Sequence, residues 1–333
     1  MISDSSFLTT IAGTGSSTPA RPIGNAEVAS RLEIDEQVIS RMSGINTRYW
    51  ANENEVCSLL AERAARRAME NAGVAPEEID VILVSTTSPD MVFPSTACLL
   101  QQQLGLRRAA AFDVGASCSG FLYGLSMADC FIRSGQFHRC LVVAAEVKSR
   151  YLNLSDFQTS ILFGDGAGAA VVVKGEGKKG GILKIRLFSD GEHADFVKIP
   201  AGGSRLPASS ETVSQGLHTL QLRGSRIFRV AVKRLSLAIR ELCKEENVRL
   251  DEVSQFIFHQ ANGRLLNQLA VRLGIGNDRL FSILDRYGNT SSASLPIALD
   301  CAHRQGCLHP DDLVLLGAFG GGLTWGTALI RWG

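Results

Sequence analysis

The stretch "AAAFDVGASCSGFLYGLSMADCFIRSG", Ala109 to Gly135, decides how the chain is read. An apolar run, a string of small residues and a helical apolar periodicity follow one another, which spells strand, tight turn and helix. Cys118 stands in the turn, at or near the first helical position. A thiol there faces unpaired backbone N–H groups and the positive end of a helix dipole, both of which favour thiolate. Cys118 is therefore a candidate nucleophile. The other cysteines, Cys57, Cys98, Cys130, Cys140, Cys243, Cys301 and Cys307, lie mostly in apolar runs, where packing is the ordinary role of a free thiol.

Working outward, the surroundings of this stretch recur later in the chain. "MADCFIRSG" lines up with "ALDCAHRQG", which sets Cys118 opposite Asn289. "EEIDVILVST" lines up with "DEVSQFIFHQ", which sets Ser85 opposite His259, and "FGDGAGAAVVV" corresponds loosely to "FGGGLTWGTALI". Matches in the same order point to a duplicated unit. Apolar strands such as "RCLVVAAE" and "DLVLLGAF" alternate with amphipathic helices such as "EVCSLLAERAARRAMENAG" and "NGRLLNQLAVRLG", so the class is α/β. The division expected is residues 1–175, carrying the cysteine, and 176–333, carrying His259 and Asn289, within one compact unit. "KGEGKKGG" between them reads as a surface turn of solvated lysines. The polar loop Pro200 to Gly216 either borders a substrate entrance or is a plain surface excursion.

The chain has 333 residues and a formal net charge of +1, which speaks against a general nucleic-acid binder. Eight cysteines without a C-x-x-C pair give neither a zinc pattern nor a secreted disulfide framework. The first residues lack a cationic start followed by an apolar core, and no apolar run reaches the ~18 residues of a membrane span. A soluble cytoplasmic protein is expected, with no metal and no membrane partner.

Cys118, His259 and Asn289 each follow a predicted strand, and ligand sites in such sheets lie beyond the carboxyl ends of strands. Taken singly, His259 reads as a satisfied structural residue and Asn289 as a turn or helix cap. Taken together they have a chemical meaning. A thiolate attacks a thioester to form an acyl-enzyme, and a histidine and an amide N–H then donate to one carbonyl oxygen. Two donors on an oxygen that becomes an enolate favour decarboxylation of a β-carboxy thioester, whose carbanion attacks the acyl-cysteine. A cysteine hydrolase would instead use its asparagine to orient the histidine. The glycines of "GAFGGGLTWG", Gly317 to Gly326, offer unhindered N–H groups for an oxyanion, or form a tight hairpin. Neither glycine stretch matches a nucleotide-binding pattern.

The motifs "CSGFLYGL", "FGDGAGAAVV", "HQAN", "YGNTSSAS" and "FGGGLTWG" together resemble the β-ketoacyl-acyl-carrier-protein synthase III family of the thiolase superfamily, over nearly the whole chain. The resemblance implies a five-layered αβαβα fold built from a duplicated half, in a homodimer. It implies an acyltransferase that loads Cys118 and then condenses the acyl group with malonyl-acyl-carrier protein, without a cofactor beyond its thioester carriers. Cys118 would be the nucleophile, His259 and Asn289 the decarboxylation pair, and the N–H groups of Cys118 and Gly321 the oxyanion hole. Phe93 would close the partner's acyl tunnel, and Arg229, Arg264 and Arg272 would dock an acidic acyl carrier protein. The alternatives on the same fold are an acyltransferase that does not condense and a catalytically silent partner subunit. Gln37 or Val38 and Phe157 stand where coenzyme A-loading members carry a tryptophan and an arginine, which opens the way to a carrier-bound or unusual acyl donor.

Overall fold

The computed structural model describes residues 8–175 and 180–333. The first seven residues, the expected boundary between the halves and the centre of the expected lysine turn lie outside the described residues. Strands β1 (Thr9–Ser17), β2 (Val81–Ser85), β3 (Ala110–Asp113), β4 (Arg139–Glu146) and β5 (Gly166–Lys174) form one sheet in the order β1-β5-β4-β2-β3. Strands β6 (Gly181–Ser189), β7 (Gln255–Phe258), β8 (Leu280–Phe281), β9 (Leu313–Gly320) and β10 (Thr324–Arg331) form a second, in the order β6-β10-β9-β7-β8. In each sheet the second, third and fourth strands of the half run parallel, and the fifth is antiparallel to both its neighbours. The two sheets therefore share one topology.

Helices α1 (Cys57–Ala72) and α2 (Thr96–Leu104) cover the outer face of the first sheet, and α4 (Gly224–Glu245) and α5 (Gly263–Leu273) that of the second. Helices α3 (Gly120–Ser134) and α6 (Ser294–Arg304) fill the space between the sheets. The result is the expected αβαβα stack. Strand β4 sends Cys140, Val142 and Ala144 to the middle layer and Leu141, Val143 and Ala145 to the outer one. Burial on both faces is why such strands read as unbroken apolar runs, and full burial of each Val or Leu contributes about 1.5–3 kcal/mol. Among the described residues no helix is long and apolar enough to cross a membrane.

The structure corrects one register. Cys118 lies in a 3-10 turn, Ser117–Ser119, and α3 starts only at Gly120. The matching 3-10 turn of the second half is Ser291–Ala293, followed by α6 from Ser294. The step in number that carries Ser85 to His259 also carries Ser117 to Ser291, and both serines have positive φ, 48° and 53°. Cys118 is thus matched by Ser292, and Asn289 stands just ahead of the turn. The cause is a change of helix length: α3 has 15 residues and α6 has 11, about one turn fewer. Sequence alignment anchored on the helix C-termini slips by that turn at their starts.

Candidate active site

Cys118, His259 and Asn289 line one cavity of about 330 Å³, together with Gly320 and Gly321. His259 follows β7, where its N–H donates to Gly317 O at 2.7 Å and its side chain is nearly fully buried. Its Nδ1 lies 2.6 Å from Ser294 Oγ, which also accepts from Gln260 N at 3.2 Å. The serine proton is thereby available to Nδ1, and Nε2 is left to carry a proton toward the cavity. The Asn289 backbone is pinned by an isolated bridge to the segment just before β5, with its N–H on Leu162 O at 2.9 Å and its carbonyl accepting from Gly164 N at 3.0 Å. Its Oδ1 accepts from Ser291 N at 2.9 Å, which turns the amide nitrogen away as a donor. The preceding Gly288 takes φ 63° and ψ −163°, and a Cβ there would meet Leu162 O at 2.9 Å. Only glycine adopts that conformation without strain.

The thiol of Cys118 is unlike its fellows. Burial alone would raise it, but His259, which is cationic once it has taken the thiol proton, and the hydrogen bonds with His259 and Ser291 outweigh burial and bring it from 9.0 to about 7. Burial pushes Cys140 up to about 12 and Cys243 to about 11, and holds Cys57 well above the ordinary value. Ser291 Oγ stands 3.4 Å from Cys118 Sγ and 3.0 Å from Glu146 Oε1. Glu146 is fully buried, and accepts from Ser292 Oγ at 2.8 Å, Thr87 N at 3.1 Å and Ser88 Oγ. Burial would raise its carboxyl, but the Lys148 charge and these hydrogen bonds hold it below the ordinary value. None of Thr87, Glu146, Lys148, Ser291 or Ser294 was singled out in the sequence. Ser291 and Ser294 lie inside the motif "YGNTSSAS", which is the one signal that points to them.

The glycine segment is a hairpin between β9 and β10, as one of the two expectations had it, and it packs on the nucleophile. A Cβ on Gly320 would come within 2.6 Å of Cys118 N. Gly321 N–H, expected to receive an oxyanion, here donates to Ser117 Oγ at 3.2 Å. The flanks of the polar loop, Val197, Lys198, Ile199 and Leu220, line the cavity, whereas Pro200 to Gly216 do not. Phe93 is outside this cavity: it stands 86% exposed on a loop with exposed Val92 and Met91. Arg229, Arg264 and Arg272 are exposed on α4 and α5, though Arg272 is tied to Ser236 Oγ at 2.8 Å and Arg264 approaches Met42 Sδ at 3.2 Å. Val38 is half-buried, and Phe157 packs against an apolar cluster that includes Ile39 and Trp50 and shares Leu162, Ile199 and Leu220 with the cavity wall. Among the described residues no group of His, Cys, Asp or Glu side chains is placed to hold a metal ion.

Comparison with known proteins gives concordant matches. Residues 112–191 match the family described as 3-oxoacyl-[acyl-carrier-protein] synthase III, and residues 243–332 match its C-terminal part. A β-ketoacyl-[acyl-carrier-protein] synthase III of Caldanaerobacter subterraneus is 43% identical over 322 residues, which cover 97% of each chain. The crystal structure of a 3-oxoacyl-[acyl-carrier-protein] synthase III from Aquifex aeolicus superposes with a TM-score of 0.89 at 38% identity, covering 97% of this chain and 100% of that one. The priming β-ketosynthase of the R1128 polyketide biosynthetic pathway superposes with a TM-score of 0.90 at 32% identity, over 98% of this chain and 97% of that one.

Proposed function

The chain belongs to the β-ketoacyl-acyl-carrier-protein synthase III family, and from that premise we propose that its condensing chemistry runs through Cys118, His259 and Asn289. It is an acyltransferase of the 3-oxoacyl synthase type. The Cys118 thiolate attacks the carbonyl of an acyl thioester, and the oxyanion takes over the Gly321 N–H from Ser117 Oγ. The carrier thiolate leaves with a proton, and an acyl-cysteine remains. Malonyl-acyl-carrier protein then binds with its thioester oxygen between His259 Nε2–H and the Asn289 amide. Its carboxylate departs as CO2, and the bonding pair moves into an enolate held by those two donors. The enolate carbon attacks the acyl-cysteine, a C–C bond forms, and the Cys118 thiolate is expelled to release a 3-ketoacyl thioester.

One observation carries this reading: a thiol lowered to about 7 shares a cavity with a histidine and an asparagine that each present a donor. The absence of a tryptophan at Gln37 or Val38 and of an arginine at Phe157 favours a carrier-bound primer over a coenzyme A one. The exposed loop Met91 to Phe93 serves a homodimer interface, with Phe93 entering the partner's cavity. Arg229, Arg264 and Arg272 offer charge to an acidic carrier. The test is the intact mass of the protein after incubation with matched acyl-coenzyme A and acyl-carrier-protein thioesters, with adducts mapped to peptide. An adduct on Cys118 that malonyl-acyl-carrier protein discharges to a 3-ketoacyl product is expected. An adduct elsewhere, or none, overturns the assignment.

A further inference from the structure

Lys148 is a charge that the condensing chemistry does not use, and it stands in the wall of the same cavity as Cys118. Its side chain is only 5% exposed. Apolar side chains dominate the lining elsewhere, among them Leu162, Ile199, Leu220, Ile227 and Leu265, so the ammonium forms a local polar spot. Burying a cation in such a wall is costly unless it is paired and hydrogen-bonded. Lys148 Nζ is 3.3 Å from Glu146 Oε2 and donates to Thr87 Oγ1, while the Tyr151 ring lies 5.9 Å away and offers a face rather than an oxygen. An ammonium has three N–H donors. One goes to Thr87 Oγ1, a second lies toward Glu146 in the ion pair, and the third has no oxygen acceptor among the described residues. An ion pair to Glu146 and hydrogen bonds on through Ser291 link the ammonium to the Cys118 sulfur, within the wall of the cavity that an acyl group on Cys118 enters.

Resting on the condensing reading above, we infer that the cavity selects an acyl primer bearing a neutral oxygen, a hydroxyl or a keto group, which accepts a hydrogen bond from Lys148. A plain hydrocarbon chain would strip water from the third N–H without replacing it, and a site built to hydrogen-bond an oxygen rejects the analogue that lacks one. A carboxylate fits no better. The Lys148 charge is already balanced by Glu146, so an acyl anion would stand beside a carboxylate with no net positive charge to receive it. The neighbouring Thr87 Oγ1, which donates to Glu146, belongs to the same polar spot and lines the same cavity.

The test compares Cys118 acylation of the wild-type protein by butyryl, 3-hydroxybutyryl, 4-hydroxybutyryl, 3-oxobutyryl and succinyl thioesters, each on both carriers, by intact mass against time. At least one of the neutral oxygenated primers is expected to exceed butyryl in kcat/KM by roughly tenfold or more, with succinyl no better than butyryl. The double variant Glu146→Gln with Lys148→Leu, which removes both charges together, is expected to favour butyryl. Butyryl equal to or better than every oxygenated primer in the wild type overturns the inference, and so does a preference for succinyl. No Cys118 adduct from any thioester overturns the condensing reading itself, an outcome distinguishable from butyryl-loaded enzyme.

Discussion

The two crossings from strand to buried helix, β3 through Cys118 to α3 and β8 through Asn289 to α6, share a topology and differ in what they hold still. The first presents a thiol from the middle of a 3-10 turn, with partners that come from the other half: His259, and Ser291 at 3.4 Å. The second pins its backbone on Leu162 and Gly164 of the other half and turns its amide side chain by Ser291 of its own next turn. Both crossings lean on the other half, but the thiol is tuned at its side chain from across the interface, whereas the amide side chain is oriented by its own next turn. Duplication supplied two equal rims, and the second carries its functional residue, Asn289, ahead of the turn whose Ser292 is the nucleophile's equivalent.

The difference is broken most strongly at the thiol. Cys118→Ala is expected to abolish the acyl-enzyme and to lower condensation by at least roughly 10⁴-fold, as removal of a nucleophile does elsewhere. An undiminished adduct would show the crossing to be inert. Asn289→Ala is expected to slow release of CO2 from malonyl-acyl-carrier protein by roughly 10²–10³-fold while Cys118 still acylates, because it removes one enolate donor only. Equal loss of both steps, read by single-turnover mass measurements, would erase the distinction between the two crossings.

Titration sharpens the contrast further. With its thiol near 7, Cys118 is thiolate above that pH and thiol below it, so alkylation by iodoacetamide should be half-maximal near pH 7 and fall about tenfold per unit on the acid side. Cys243, near 11, and Cys140, near 12, should stay unmodified in the folded protein at neutral pH. Ser291→Ala, a change in the second crossing, is expected to move the Cys118 midpoint upward; a midpoint that stays put would cut the link between the halves. The smallest effect is on backbone tolerance. Gly288→Ala is expected to cost about 1–3 kcal/mol of stability by denaturant unfolding, because of its φ of 63°. Gly115→Ala, on the first crossing with no atom within 4 Å of a Cβ, should stay within about 1 kcal/mol.

The five layers are expected only through the family resemblance, whereas the residue pattern itself carries the α/β class, the duplication and the three candidate residues at the rim. These are carried by short-range signals. Unbroken apolar runs mark strands buried on both faces, and the repeated "DC" with an arginine four residues after its aspartate marks one helix position twice. In the structure Asp129 pairs with Arg133 at 2.8 Å and Asp300 with Arg304 at 3.0 Å. The same repeat misled at the turn, since alignment of helix ends is blind to a missing helical turn nearer the start. Only the tertiary structure decided which hydroxyl touches the thiol, which carboxylate stands behind it and that a lysine borders the acyl space. Ser291 and Glu146 are distant in the chain and meet because parallel strands from both halves end at one rim. A buried charge is legible in sequence only as an ordinary Glu or Lys beside apolar residues. Its partner, and with it the reason it can be buried at all, exists only after the sheets have packed.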